Sequence, residues 1–145
     1  MSEKSKQSDC ARIYEAWDRY AKTRDTEGLL SLYATDAVLE TPLIPAIMGT
    51  ERGLLKGHEE LRAFFDEGAR RRPNELVRWY RTGKYFCDGE TLIWEYPRET
   101  PDGDQVDILE VMELRAGKIQ HHRIYWGWFG FGMLQASAAK KVQRG

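Results

Sequence analysis

The stretch Val106–Gly130, VDILEVMELRAGKIQHHRIYWGWFG, decides the fold, because it reads as two strands joined by a tight turn. Residues alternate with a period of two on both sides of positions 115–117, which is the pattern of a half-buried hairpin. The stretch also holds an acidic residue among aliphatic ones, Glu110, and a pair of histidines before a run of aromatic residues, His121 and His122. Titratable side chains among apolar groups need a physical reason, so we expect a functional site on this hairpin.

Strand alternation assigns these residues to faces. Glu110 and His122 both fall on the face that should be concave, whereas His121 falls on the outer face. The apolar residues predicted to share the inner face are Ile108, Met112, Ile124 and Trp126. A carboxyl group beside an imidazole is a candidate catalytic pair, with Glu110 as acid or hydrogen-bond donor and His122 as proton shuttle. Two alternatives stay open: Glu110 pairs with an arginine or lysine across the sheet, and His122 binds a ligand without reacting.

The rest of the chain predicts helices first and strands last. Apolar residues at steps of three and four indicate a helix from Asp9, a second helix after Thr26 and a third from Gly57. Strands are expected at 37–41, 76–87, 91–99, 105–114 and 118–129, with a loop at 43–56. This order is typical of an α+β domain, in which a curled sheet packs on the helices and leaves a cavity between them.

An apolar cavity is also indicated by the number of aromatic residues. The expected wall consists of Trp17, Tyr20, Tyr33, Trp79 and Trp126. One strand is ambiguous. A symmetric turn at residues 102–103 places Glu95 opposite Glu110, whereas a bulge turns Trp94 and Tyr96 inward; we prefer the aromatic pair.

Composition limits the classes of partner. The 145 residues include 22 basic and 23 acidic ones, for a net charge of -1, so neither nucleic acid nor a membrane surface is expected as the main partner. Cys10 and Cys87 lie far apart and are expected to be free thiols, and the three histidines have no spacing typical of a metal site. We expect a cytoplasmic protein with one domain at 9–135, a disordered N-terminus at 1–8 and a polar C-terminal tail at 136–145.

Four segments together resemble the nuclear transport factor 2-like superfamily. They are residues 17–25, then LLSLYATDAVLETP, GLLKGHEELRAFF and LEVMELRAGKIQHHRIYW, and the resemblance spans about residues 9–129. The superfamily includes SnoaL-like polyketide cyclases and ketosteroid isomerases. The resemblance implies a cone-shaped, strongly bent, mostly antiparallel sheet wrapped around three N-terminal helices, as in cystatin-like folds. It also implies a deep apolar pocket and a homodimer formed through the outer face of the sheet.

Ketosteroid isomerases are similar to this chain at Glu110-Val111-Met112, where that family carries a neutral carboxylic acid in its oxyanion hole. Tyr125-Trp126 matches an aromatic followed by a pocket tryptophan, and the family's oxyanion-hole tyrosine falls on Trp17. One departure is decisive. The family's base is an aspartate directly before the proline of the first strand, and here that position is Thr41. We therefore expect Thr41 to line the pocket and do not predict steroid isomerase activity.

These observations predict a small-molecule-binding protein of the SnoaL-like kind. The leading hypothesis is a cofactor-independent enzyme that moves a proton next to a carbonyl group, in an isomerisation, cyclisation or dehydration. The alternative is a protein that binds an apolar metabolite without chemistry.

Overall fold

A computed structural model of the chain describes residues 2–70, 78–79, 83–99 and 103–144, with the backbone alone at 78–79 and 137–144. The helices are α1 (Glu3–Thr23), α2 (Thr26–Leu30), α3 (Leu43–Met48), α4 (His58–Arg70) and α5 (Trp128–Arg144). The strands are β1 (Tyr33–Glu40), β2 (Leu54–Lys56), β3 (Arg78–Trp79), β4 (Phe86–Cys87), β5 (Thr91–Glu99), β6 (Gln105–Arg115) and β7 (Lys118–Trp126).

The strands form one curved, unclosed sheet in the order β2-β1-β7-β6-β5-β3, and β4 pairs with β5. All pairings are antiparallel except that of β1 with β7. The expected α+β class, with a bent sheet packed on N-terminal helices, is therefore confirmed. The parallel β1–β7 contact brings the first strand beside the last one, which places β1 next to the predicted site.

The core lies between the helices and the inner face of the sheet. Helix α1 buries one side, and its buried residues are Cys10, Ile13, Tyr14, Ala16, Trp17 and Ala21. Every second residue of β5 is buried, as Leu92, Trp94 and Tyr96 show. Trp94 is paired with Glu110 and Glu95 with Leu109, and Glu95 is exposed. The aromatic alternative for β5 is therefore correct.

Several boundaries differ from the expected ones. Helix α1 begins at Glu3, within the N-terminus expected to be disordered, because the Ser2 side chain accepts a hydrogen bond from the Ser5 amide at 3.1 Å and caps the helix. The expected loop 43–56 contains α3 and β2, and α5 extends through most of the expected tail. Strand β1 begins at Tyr33, four residues before the strand expected at 37–41.

The expectation of free thiols is wrong. Cys10 of α1 and Cys87 of β4 form a disulfide, with a Cα–Cα distance of 6.5 Å. The two residues are 77 positions apart, and only the packing of α1 beside the edge of the sheet brings them together. The cytoplasmic location rested in part on those thiols and stays a prediction. Among the described residues, no helix combines the length and the apolar character that crossing a membrane requires.

Candidate functional site

Glu110 and His122 meet on the inner face of the sheet, as their alternation predicts. The antiparallel register of β6 and β7 pairs Met112 with His122 and Glu110 with Ile124, so the two polar side chains lie diagonally across the strands. His122 Nε2 lies 2.5 Å from Glu110 Oε2, and both residues are 1% exposed. Glu110 therefore pairs with a histidine of the site and not with a surface cation.

Tyr33 and Trp17 extend this contact on the imidazole side. The Tyr33 hydroxyl lies 2.8 Å from His122 Nδ1, and the Trp17 indole Nε1 donates to that hydroxyl at 3.1 Å. Tyr33 comes from β1, which the parallel pairing sets beside β7, and Trp17 comes from the buried side of α1. Two elements from the first part of the chain thus meet the His122 ring, which lies 89 residues beyond Tyr33.

Tyr96 completes the site on the carboxylate side. Its hydroxyl donates to Glu110 Oε1 at 2.8 Å, and its ring is 4% exposed. Both oxygens of Glu110 are therefore engaged, one by Tyr96 and one by His122. The signal for Tyr96 was its alternation with Trp94, but the ambiguous turn hid its register against Glu110. We call the five residues Trp17, Tyr33, His122, Glu110 and Tyr96 the buried network.

The donor and acceptor groups of the buried network determine the direction of each of its hydrogen bonds. An indole N–H can only donate, so the Tyr33 oxygen accepts from Trp17 and its own O–H points to His122 Nδ1. With a neutral imidazole, Nε2 then carries the hydrogen and donates to the Glu110 carboxylate. In this arrangement every hydrogen of the buried network has an acceptor. The nitrogen of His122 that carries no hydrogen is then Nδ1, which faces the Tyr33 hydroxyl.

Burial and the nearby carboxylate keep both tyrosines protonated. Burial raises the pKa of Tyr33 far above its usual range; the Trp17 hydrogen bond opposes this shift and the charge of Glu110 adds to it. Burial and the Glu110 charge also raise the pKa of Tyr96, while the charge of Arg98 lowers it. Arg98 is 7% exposed and follows Tyr96 on the same face of β5. The site therefore contains two neutral hydroxyl donors and a buried positive charge nearby.

The other predicted wall residues divide into two groups. Met112 is fully buried, and Ile124 and Trp126 are partly buried against the core on the same face. Among the described residues, Trp126 Nε1 is a buried donor that has no hydrogen-bond partner. It is therefore an inner-face donor that a ligand oxygen could satisfy.

Two predicted residues make their described contacts outside the buried network, and the side chain of a third is not described. The Thr41 hydroxyl accepts from the Leu43 amide at 3.2 Å, in the turn at Pro42 that leads into α3. Tyr20 packs beside Gly28 of α2 and is partly buried against the core. The side chain of Trp79 lies outside the described residues.

His121 points to the outer face, as alternation predicts. Its Nε2 lies 2.6 Å from Glu40, and Arg123 pairs with Glu113 beside it at 2.5 Å. The Arg123 hydrogen bond lowers the pKa of Glu113. Glu40 thus faces away from the site. It does not replace the aspartate base that ketosteroid isomerases carry at the position of Thr41. Within the described part of the chain, no group of three or more histidine, cysteine or acidic residues is arranged to hold a metal ion.

Comparison with known proteins identifies relatives of the whole domain. The family described as SnoaL-like domain matches residues 10–122. No curated protein matches the sequence. Among solved structures, a SnoaL-like protein from Burkholderia thailandensis is similar, with 20% identity, a TM-score of 0.66, and coverage of 84% of this chain and 97% of that one.

Two further structures have the same shape. The protein TerC, co-crystallised with polyporic acid, has 19% identity and a TM-score of 0.66, with coverage of 87% of this chain and 97% of its own. A de novo designed protein with a curved β-sheet has 20% identity and the same TM-score of 0.66, with coverage of 94% of this chain and 97% of its own. At such identities the likeness shows the fold alone.

Proposed function

The chain belongs to the SnoaL-like domain family, and from this membership and the buried network we propose that it is an enzyme moving a proton next to the carbonyl group of a hydrophobic small molecule. The observation that carries the proposal is the contact of His122 with Glu110 in a dry interior. A carboxylate that holds one nitrogen of an imidazole leaves the other nitrogen as an oriented base. His122 is the proton acceptor in this proposal, and Glu110 orients it.

The catalytic step requires a ligand to take the place of the Tyr33 hydroxyl at His122 Nδ1. The carbon acid then gives its proton to Nδ1, and the electron pair moves to the carbonyl oxygen to form an enolate. The displaced Tyr33 keeps its contact with Trp17. Because its pKa is raised, its hydroxyl stays protonated and can donate to the enolate oxygen. Return of the proton to another atom completes an isomerisation, cyclisation or dehydration.

The ligand class follows from the rest of the inner face. The buried rings beside the buried network suit a flat apolar skeleton, and Trp126 Nε1 offers a further donor for a ligand oxygen. A co-crystal of the similar protein TerC with polyporic acid supports a small organic ligand for this fold. The residues proposed here require no cofactor.

Deuterium exchange tests the step without knowledge of the natural substrate. We expect the protein to speed the exchange of the hydrogens next to the carbonyl of 2-tetralone in D₂O, followed by proton NMR. Glu110→Gln and His122→Gln should each lower this rate by about a hundredfold or more, the usual size of acid–base contributions. The matched control is Glu113→Gln on the outer face of the same strand, which should keep the rate of the original protein. Unchanged exchange in Glu110→Gln would remove the assigned role.

A protein that only binds is the second candidate. The observation in its favour is that every hydrogen-bonding group of the buried network is satisfied by another member. This candidate predicts that apolar carbonyl compounds raise the melting temperature while none shows accelerated exchange.

We also propose a homodimer formed through the outer face of the sheet. Tyr125 is 52% exposed there, beside Arg123 and Glu113. An isologous contact of this kind fits a curved sheet whose inner face is already covered. Light scattering should give twice the chain mass, and Tyr125→Glu should shift it toward the monomer. A monomer in the original protein would contradict the proposal.

A further inference from the structure

We propose that the Cys10–Cys87 disulfide is a redox-sensitive clamp that positions Trp17 in the buried network through helix α1. Cys10, Tyr14 and Trp17 follow one another at helical steps of four and three, so they lie along one side of α1. All three are buried. The disulfide joins Cys10, the first residue of this row, to β4 at the edge of the sheet. Trp17, the last residue of the row, donates a hydrogen bond to Tyr33 in the buried network.

The disulfide is the strongest tie at its own end of the helix. The other polar contacts of this part of α1 with the sheet include an ion pair between Lys6 and Glu90 at 3.2 Å and a hydrogen bond from Gln7 to the Cys87 carbonyl at 3.2 Å. Arg12 also donates to the Gly117 carbonyl at 2.7 Å. Exposed pairs of this kind stabilise little. The chain has two cysteines, so this bridge is also the one covalent cross-link that it can form within itself.

Packed rings connect the clamp to the site. Tyr14 contacts Tyr85 with ring centroids 4.5 Å apart and Trp94 at 5.2 Å. Trp94 contacts Trp17 at 5.7 Å, and Trp17 contacts the His122 ring at 5.8 Å. A helix moves as a stiff rod, and the rise of about 1.5 Å per residue puts Cys10 and Trp17 on the same short rod. A shift of α1 at Cys10 therefore changes where the Trp17 indole meets the Tyr33 hydroxyl.

The redox step uses a dithiol reductant. A thiolate of the reductant attacks the sulfur of Cys87, which is half-buried, and the S–S bond breaks. Cys10 leaves as a thiolate and takes a proton. The second thiol of the reductant then displaces Cys87 as a thiol, so two electrons reach the protein and the reductant departs as a disulfide. Reduction removes the covalent link between the first half of α1 and β4.

Hydrogen exchange of the Trp17 indole N–H, followed by NMR, tests the clamp in the full chain. The probe is dithiothreitol, and Trp17→Phe identifies the signal. Reduction should speed this exchange by about tenfold or more, which corresponds to a local loss of about 1.4 kcal/mol. The amides of the β6–β7 ladder should keep their rates, because the loss is confined to the contact of α1 with the buried network. A merely stabilising disulfide would instead speed both sets of hydrogens equally.

Two variants sharpen the result. Glu90→Gln breaks the ion pair at the same junction and leaves the disulfide intact, so the Trp17 exchange should stay at its oxidised rate. Cys10→Ser combined with Cys87→Ser should reproduce the reduced rate without reductant. Equal Trp17 exchange in the oxidised and reduced protein, or complete unfolding on reduction, would overturn the proposal. None of these readouts involves turnover, so they stand apart from the ketone exchange that tests the proposed reaction.

Discussion

Tyr33 is the residue on which most of the buried network depends, because its hydroxyl serves both Trp17 and His122. Tyr33→Phe keeps the ring and removes the oxygen, which leaves the indole N–H and His122 Nδ1 without their partner in a dry interior. We expect a loss of about 1–3 kcal/mol in the free energy of unfolding, the usual cost of unpaired buried polar groups. Urea denaturation measures it. Tyr125→Phe on the exposed outer face is the control, and an equal loss there would count against the argument.

Residue patterns predicted part of this site for a clear reason. Glu110 and His122 lie in regular strands, where alternation with a period of two assigns each side chain to a face without any knowledge of distant contacts. No alternation pattern supported Thr41: a family position suggested it, and its hydroxyl accepts from the Leu43 amide in the turn at Pro42. Tyr96 depended on the register across one turn, which spacing alone leaves open.

At the scale of elements, the short helix α2 shows how tertiary packing reverses a helix propensity. Gly28 lies in α2, and an added Cβ there would be 2.5 Å from Tyr20 Cδ1 and 2.7 Å from Asp25 Oδ2. Asp25 also caps the helix by accepting from the Gly28 amide at 2.9 Å. Gly28→Ala should therefore destabilise the protein by about 1–3 kcal/mol, as overpacking does.

Gly68 in α4 provides the matched comparison, since no atom of the described residues lies within 4 Å of an added Cβ there. Gly68→Ala should stabilise the protein by about 0.5–1 kcal/mol, because alanine loses less backbone entropy in a helix. Thermal unfolding of both variants decides the matter. The same sign for the two substitutions would show that propensity, and not the Tyr20 contact, controls α2.

The elements that sequence reasoning placed well are those with long regular periods. The hairpin of β6 and β7 follows its alternation, and the register confirms it. Boundaries failed where a side chain decides them, as Ser2 does by capping α1 at Glu3. The disulfide could not be predicted from the sequence, because a separation of 77 residues does not indicate whether two thiols are close in the fold.

At the scale of the whole molecule, the two buried tyrosines give stability a dependence on alkaline pH. The pKa of Tyr33 and that of Tyr96 are both raised by burial. Unfolded tyrosines release their protons near pH 10, roughly their unperturbed pKa, whereas the folded protein keeps them. The stabilisation is therefore complete below about pH 10 and is lost as the pH rises further, at about 1.4 kcal/mol per pH unit for each tyrosine.

Urea unfolding between about pH 9 and about pH 11 measures this slope. Tyr33→Phe should lower this slope by about 1.4 kcal/mol per pH unit, because one of the two buried tyrosines is then missing. A slope that is the same in Tyr33→Phe and in the original protein would show that Tyr33 titrates normally.

The parallel contact between β1 and β7 has a consequence for how the protein is made. Residues 33–40 pair on one side with residues 54–56 nearby in the chain, but their partner on the other side is residues 118–126, far along the described chain. During synthesis on the ribosome, α1 therefore emerges long before the strand that completes the surface beneath it. Its apolar side, with Trp17 and Tyr14, has to wait in water or against a chaperone until translation has passed β7. Translation pauses after α4 should favour aggregation of the nascent chain, whereas pauses after β7 should not.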